Sequence, residues 1–204
     1  AVFGALQLSL GIDFVATAHN ANDNAETVLY NALRGSGTDG LAGIPPRRGD
    51  IVRPLLNKTR KEILEYISAL GARYVIDSSN NDSRYTRNYI RNVLLPAAQK
   101  VNPNCVAALN RLAAAARSDS EYFAGLVLQA ERDKKGLDTL PVPARIRAVQ
   151  SAYCRYSGGG TLDGRHLAAV CNGLCTVGEK RFSLPRGVTA LTCNGILRFT
   201  KDVT

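Results

Sequence analysis

Short apolar runs, each followed at once by a helical pattern, constrain this chain more than any other feature. Residues 12–17, after Gly11, form an apolar stretch of strand length. Ala25, Val28, Leu29, Ala32 and Leu33 then follow helical spacing, and Gly35 and Gly37 stop the helix. Residues 51–55 repeat the strand pattern, with Pro54 at its exit. Thr59 is placed to cap a helix carrying Ile63, Leu64, Ile67 and Leu70, closed by Gly71. Residues 74–76 read as a third strand. Strand and helix in alternation predict an α/β fold built on a parallel sheet.

The pattern changes near Tyr85. A helix runs into Pro96, with Tyr85, Tyr89 and Val93 expected to face the core, and Asn102-Pro103-Asn104 reads as a hinge. Two domains follow from it, residues 1–101 and residues 102–204. The second opens on one long amphipathic helix carrying Cys105, Leu109, Leu112, Ala116, Phe123 and Ala130. Shorter helices are expected over 143–153 and 162–174, then a small β structure in which Asn194-Gly195 joins two apolar runs as a hairpin turn. Ser157-Gly158-Gly159-Gly160-Thr161 looks like a phosphate loop but follows a helix instead of a buried strand. It is expected to be a linker, with Thr161 or Asp163 capping the next helix.

Composition narrows the function. With 204 residues the chain has room for one or two domains, and no apolar run approaches the ~18 residues of a membrane span. No basic-then-apolar leader argues for secretion, and a cytoplasmic protein is expected. The absence of Met, even at position 1, reads as a processed or partial chain. Lys and Arg number 26 against 17 Asp and Glu, a net charge of +9 that favours polyanionic partners or else is only a basic surface. Up to Lys100 there are 12 basic and 9 acidic residues, and beyond it 14 and 8, so the later half carries the larger excess. The five cysteines, Cys105, Cys154, Cys171, Cys175 and Cys193, form no disulfide framework. Only His166 could join Cys171 and Cys175 at a zinc, so buried helix cysteines are expected there.

Three stretches could carry chemistry. His19-Asn20-Ala21-Asn22-Asp23-Asn24-Ala25-Glu26-Thr27 lies where a strand feeds a helix, the place where open α/β sheets bind ligands. His19 and Asp23 offer a proton-transfer group and a carboxylate for metal or base work; equally, Asp23 and Glu26 fit an acidic capping box. Arg34-Gly35-Ser36-Gly37-Thr38-Asp39-Gly40-Leu41-Ala42-Gly43 lets backbone approach a phosphate, although Gly35 alone reads as a helix C-cap. Asp77-Ser78-Ser79-Asn80-Asn81-Asp82-Ser83 leads into a helix on which Arg84, Arg87 and Arg91 share a face, with Asn88 beside them. Such a stripe holds phosphates or is merely solvated.

Together these stretches resemble the tRNA(Ile)-lysidine synthases of the N-type ATP pyrophosphatase (PP-loop) superfamily. The family pattern is His-x-x-Asp-Asp-x-x-Glu-Thr, then Arg-Gly-x-Gly-x-x-Gly-Leu-x-Gly, Arg-Pro-Leu-Leu, Asp-x-Ser-Asn-x-Asp and Arg-Asn-x-x-Arg. In register here are His19, Asp23, Glu26 and Thr27; Arg34, Gly37 and Gly40; Arg53-Pro54-Leu55-Leu56; Asp77, Asn80 and Asp82; and Arg87, Asn88 and Arg91. Asn22 stands where the family has the first of two aspartates, and the Ser-Gly-Gly-x-Asp-Ser phosphate loop is absent, as in a domain incomplete at its N-terminus.

The resemblance implies ATP and Mg²⁺ as cofactors, free L-lysine and the anticodon loop of an isoleucine tRNA as partners, and a possible homodimer. The reaction it implies activates the wobble cytidine as an adenylate, after which lysine displaces AMP. Asp23, His19, Arg87 and Arg91 would be catalytic, with Asp23 also the metal ligand. His19, Asn22, Asp23, Glu26 and Thr27 would face the nucleotide. Arg34, Gly37, Gly40, Asp77, Asn80, Asp82, Arg84, Arg87, Asn88 and Arg91 would meet RNA or substrate. The alternatives are a tRNA-thiolating relative, a non-catalytic tRNA-binding fragment, and a plain α/β domain whose motifs are caps and turns.

Overall fold

A computed structural model describes residues 9, 11–74 and 86–201. The chain forms two compact units, Ala1–Asp119 and Ser120–Thr204.

In the first unit, strand β1 (Val15–Ala16) delivers the chain to helix α1 (Ala21–Leu33). A short helix α2 (Thr38–Leu41) and strands β2 (Arg47–Arg48) and β3 (Ile51–Val52) follow. β1 pairs in parallel with β3, Val15 opposite Ile51. β2 adds an antiparallel edge, with Arg48 opposite Ile51. That edge strand was not expected from Pro45-Pro46, and it forms because Gly49 adopts a positive φ of 59° in a two-residue turn. Of the expected third strand, Tyr74 is irregular and residues 75–76 lie outside the described residues.

Helix α1 starts where its backbone donors are satisfied. Asn20 is the N-cap, its side-chain oxygen accepting from the Asn22 and Asp23 N–H groups at 2.9 and 3.1 Å. The Asp23 carboxylate accepts in return from the Asn20 N–H at 3.0 Å. The capping box is therefore Asn20 with Asp23, not Asp23 with Glu26. Gly35, at φ 71°, ends the helix. Helix α3 (Arg60–Ala69) opens on the same device, Thr59 with Glu62. The Thr59 N–H and hydroxyl hold the Glu62 carboxyl below its ordinary pKa.

Helix α4 (Thr86–Tyr89), a π-turn (Ile90–Leu94) and helix α5 (Leu95–Val101) run on without a break. The π-turn corrects the expected core face. Tyr89 and Val93 are exposed, and Ile90 and Leu95, five apart, are buried instead. The Leu95 N–H donates to the Ile90 carbonyl, and a wider turn of this kind brings residues five apart onto one side. Tyr85 lies outside the described residues.

The expected hinge at Asn102 is a tight turn between α5 and the long helix α6 (Cys105–Arg132). Its Asn102 side chain accepts from the Asn104 N–H at 3.0 Å. Val106, Cys105 and Leu109 at the start of α6 pack with Ala21, Ala25 and Leu95, which keeps them in the first unit. The units divide inside α6, not at residue 102.

In the second unit, helix α7 (Val142–Ser157) ends at Gly158 in the left-handed region, and Asp163 caps helix α8 (Gly164–Leu174). The glycine run between them is the expected linker. The His166 N–H holds the Asp163 carboxyl below its ordinary value. Strands β4 (Lys180–Leu184), β5 (Val188–Cys193) and β6 (Ile196–Lys201) form an antiparallel sheet in that order. The expected Asn194-Gly195 turn joins β5 to β6, both residues at positive φ. Val149, Tyr153, Val170 and Leu174 pack against Leu184, Val188 and Ala190 to make the core. Cys171 is buried, which pushes its thiol pKa up, whereas Cys175 at the helix end is exposed, contrary to expectation. Gly173 lies so close to Phe182 that an added Cβ would sit 2.5 Å from the ring.

Leu174 is 1% exposed at the centre of this core. Leu174→Ala should cost about 2–5 kcal/mol of unfolding free energy, read as a lower urea midpoint with the helical signal of the folded state retained.

Candidate functional site

The segment after β1, the first turn of α1, α4 and the π-turn line a cleft of about 320 Å³. Its lining is Ala18, His19, Asp23, Arg87, Asn88 and Arg91. Strand β1 ends just before His19, and the Asn20 cap turns Asp23 inward. One helical turn on, Glu26 is 2% exposed.

Arg91 ties the two carboxylates together. Its Nε donates to Glu26 Oε1 at 2.7 Å, and its Nη2 to Glu26 Oε2 at 3.0 Å and Asp23 Oδ1 at 2.8 Å. Hydrogen bonding to Glu26, with the charges of Glu26 and Asp23 behind it, raises the Arg91 pKa further. Its side chain is 18% exposed, against 56% for Arg87. Arg87 stands farther off, at 3.4 Å from Glu26 and 3.7 Å from Asp23. Arg91 is thus a fixed member of the cluster, and Arg87 keeps guanidinium surface for another anion. The His19 ring nitrogen Nδ1 lies 3.0 Å from the Thr17 hydroxyl, which steadies the ring at the cleft wall.

Sequence reasoning missed a third cation, Arg60, 3.6 Å from Asp23. Asn22 explains its position: the Asn22 side-chain oxygen accepts from the Arg60 N–H at 2.9 Å, fixing the start of α3 beside α1. Asn22, expected at the nucleotide, engages the Arg60 backbone through its side-chain oxygen. The available signal was the polar start of a helix after the second apolar run, at the ligand-binding end of the sheet.

Asp23 fits a divalent metal poorly. One oxygen caps Asn20 and the other faces three guanidinium groups, a field that repels Mg²⁺. Among the described residues no group of three His, Cys, Asp or Glu side chains could hold a metal.

Within the glycine stretch Gly40 and Gly43 are closely packed, whereas a Cβ at Gly35 or Gly37 would meet nothing within 4 Å. The Asn24 side-chain oxygen accepts from the Ile44 N–H at 2.7 Å, and a Cβ on Gly43 would collide with it. Gly37 caps α2, Gly40 lies against Ser36, and Arg34 stacks on Tyr30 at the exposed end of α1. Thr27 donates its hydroxyl to the Asp23 carbonyl at 3.0 Å and borders an adjoining hollow with Glu26 and Arg87. Asp77, Asn80, Asp82 and Arg84 lie outside the described residues.

Residues 1–98 match the PP-loop domain family. The chain is 43% identical to a tRNA(Ile)-lysidine synthase of Porphyromonas gingivalis, over 64% of this chain and 28% of that protein. It is 46% identical to one of Bacteroides thetaiotaomicron, over 50% of this chain and 24% of that protein. A tRNA(Ile)-lysidine synthase of Symbiobacterium thermophilum is 35% identical over 97% of this chain and 46% of its own length. Over residues 1–98 the chain belongs to the PP-loop domain family, and across nearly all its length it is similar to a tRNA(Ile)-lysidine synthase. It spans less than half the length of each of these relatives. The chain carries a PP-loop domain of mixed helix and strand, followed by a helical region and a small antiparallel sheet. No described helix is long and apolar enough to cross a membrane.

Arg91→Met should leave Glu26 buried without its bidentate partner. The expected loss is about 3–5 kcal/mol in urea denaturation at neutral pH, with Arg87→Met far milder.

Proposed function

We propose that the chain is the PP-loop part of a cytoplasmic ligase that joins L-lysine to the wobble cytidine of an isoleucine tRNA. The observation that carries this reading is the convergence of Asp23, Arg87 and Arg91 on one cleft at the carboxyl end of a strand, where α/β sheets bind their ligands, with buried Glu26 bonded to Arg91 behind it. The names of the relatives point the same way. All the cysteines lie from Cys105 onward and none lines the cleft, which favours ligation over a thiolating relative.

In this reading the carbonyl oxygen of the cytidine bonds to the α-phosphorus of ATP as pyrophosphate leaves. The ε-amine of lysine then bonds to the ring carbon, loses a proton, and AMP departs. ATP as co-substrate supplies the activation. Arg87, half exposed and only loosely engaged, meets the negative charge that grows on the phosphate, with His19 beside it. Asp23 takes the proton from the attacking amine. Arg91 is a positioning residue: it holds Asp23 and Glu26 in place and is too tightly bound to them to serve a substrate. Arg60 adds cationic field at Asp23. No step is assigned to a protein-held metal, given the cationic surroundings of Asp23.

The test is Asp23→Asn in an enzyme containing this chain. An amide oxygen can still cap Asn20, so the fold should survive while lysine incorporation into tRNA falls by about 10²-fold or more. Near-normal turnover refutes the assignment. Affinity for tRNA should also fall steeply as salt rises from 50 to 200 mM, and a flat response counts against an RNA substrate.

A further inference from the structure

Helix α1 has a second functional face. Asp23 points to the cleft described above, whereas Ala21 and Asn24 line a larger hollow of about 590 Å³. That volume lies in the range of small-ligand sites, on the order of 300–1,000 Å³. Pro46, Pro54 and Leu56 form one apolar wall, and Val106, Ala107 and Ala114 of α6 form another. Three arginines, Arg53, Arg111 and Arg117, complete the lining with asparagine side chains, and no Asp or Glu is among the described lining residues.

Arg53 and Arg117 are fixed in place without being neutralised. Arg117 donates to the Ala42 and Ile44 carbonyls at 2.8 and 2.9 Å. Arg53 donates to the Pro45 carbonyl at 2.8 Å, and its buried Nε has no hydrogen-bond partner. Arg111 is exposed and has no ion-pair partner among the described residues. Around Asp23 and Glu26 three arginines are paired with two carboxylates; here three arginines face none. Carbonyl partners set the geometry of a guanidinium but leave its positive charge available, and apolar walls strengthen the field inside.

We propose that this hollow binds one nucleotide of a single-stranded RNA, its phosphate on the arginines and its base against the proline and aliphatic wall. A hollow of this size admits an unstacked nucleotide and not a duplex, and the net charge of +9 favours a polyanionic strand over a small neutral ligand. The inference rests on the reading of the chain as RNA-acting and adds a contact remote from the Asp23 carboxylate.

The experiment is fluorescence anisotropy of the full 204-residue chain with a labelled anticodon-loop RNA. Arg111→Glu should weaken binding about tenfold and lower the slope of log affinity against log salt by about one. Ala107→Phe, which fills the hollow without altering charge, should weaken binding with the salt slope unchanged. Lys180→Glu, a charge reversal in β4, should change affinity by less than about twofold, and circular dichroism melts should confirm that each variant is folded. Unchanged affinity in both pocket variants, or an equal loss in Lys180→Glu, overturns the pocket while leaving an RNA substrate standing. Competition by free AMP as potent as by the RNA overturns the strand in favour of a mononucleotide. No RNA binding by the unaltered chain overturns both this inference and the RNA substrate itself.

Discussion

The bidentate grip of Arg91 on Glu26, extended to Asp23, is the constraint on which the rest of the first unit depends. Glu26 is almost completely buried, and an unpaired carboxylate there would be strongly unfavourable. Pairing it with a guanidinium from an element 65 residues away locks α1 against the π-turn. Neither partner can relocate without stranding the other. The interaction is thus better evidence for a fixed geometry than for stability, because the cost of desolvating both ions offsets much of their attraction. For the proposed reaction, which must hold its groups within fractions of an ångström, fixed geometry is what matters.

That grip needs the π-turn. In a regular α-helix the residues expected to face inward were Tyr89 and Val93, which are exposed here. The additional residue in the turn places Ile90 and Leu95 in the core, with Arg91 on the edge of the same side, beside Asp23 and Glu26. The capping box at Asn20 does the complementary work on α1. It uses one Asp23 oxygen to start the helix, which leaves the other directed at the guanidinium groups.

Much of this was legible in the sequence, and the failures have physical causes. Helix α1, the caps at Thr59 and Asp163, the glycine linker and the Asn194-Gly195 turn follow local rules in which a few adjacent residues decide the outcome. The π-turn defeated the reading of α4 and α5 because periodicity assumes an unbroken 3.6-residue repeat. The Asn102 turn resembled a domain hinge because Pro and Asn mark a break in helix without saying whether the flanking helices share a core. Arg60 could not be placed at Asp23 from spacing, since the Asn22 contact that fixes it joins residues 38 apart. Glycine permits close approach without naming what approaches, and at Gly43 it is Asn24.

Asn24 shows why the two faces of α1 are not independent. Its side chain binds the Ile44 N–H with one atom and Asn110 of α6 with the other, and Asn110 donates in turn to the Ala21 and Val106 carbonyls. The loop that Asn24 holds is the one whose carbonyls orient Arg53 and Arg117. The helix that bears Asn24 is the one that presents Asp23 and Glu26. A single buried amide network therefore sets the arginines on one face and steadies the carboxylates on the other. Packing of this density shifts as a unit or not at all, so any ligand that repositions the loop must act on α1 as well.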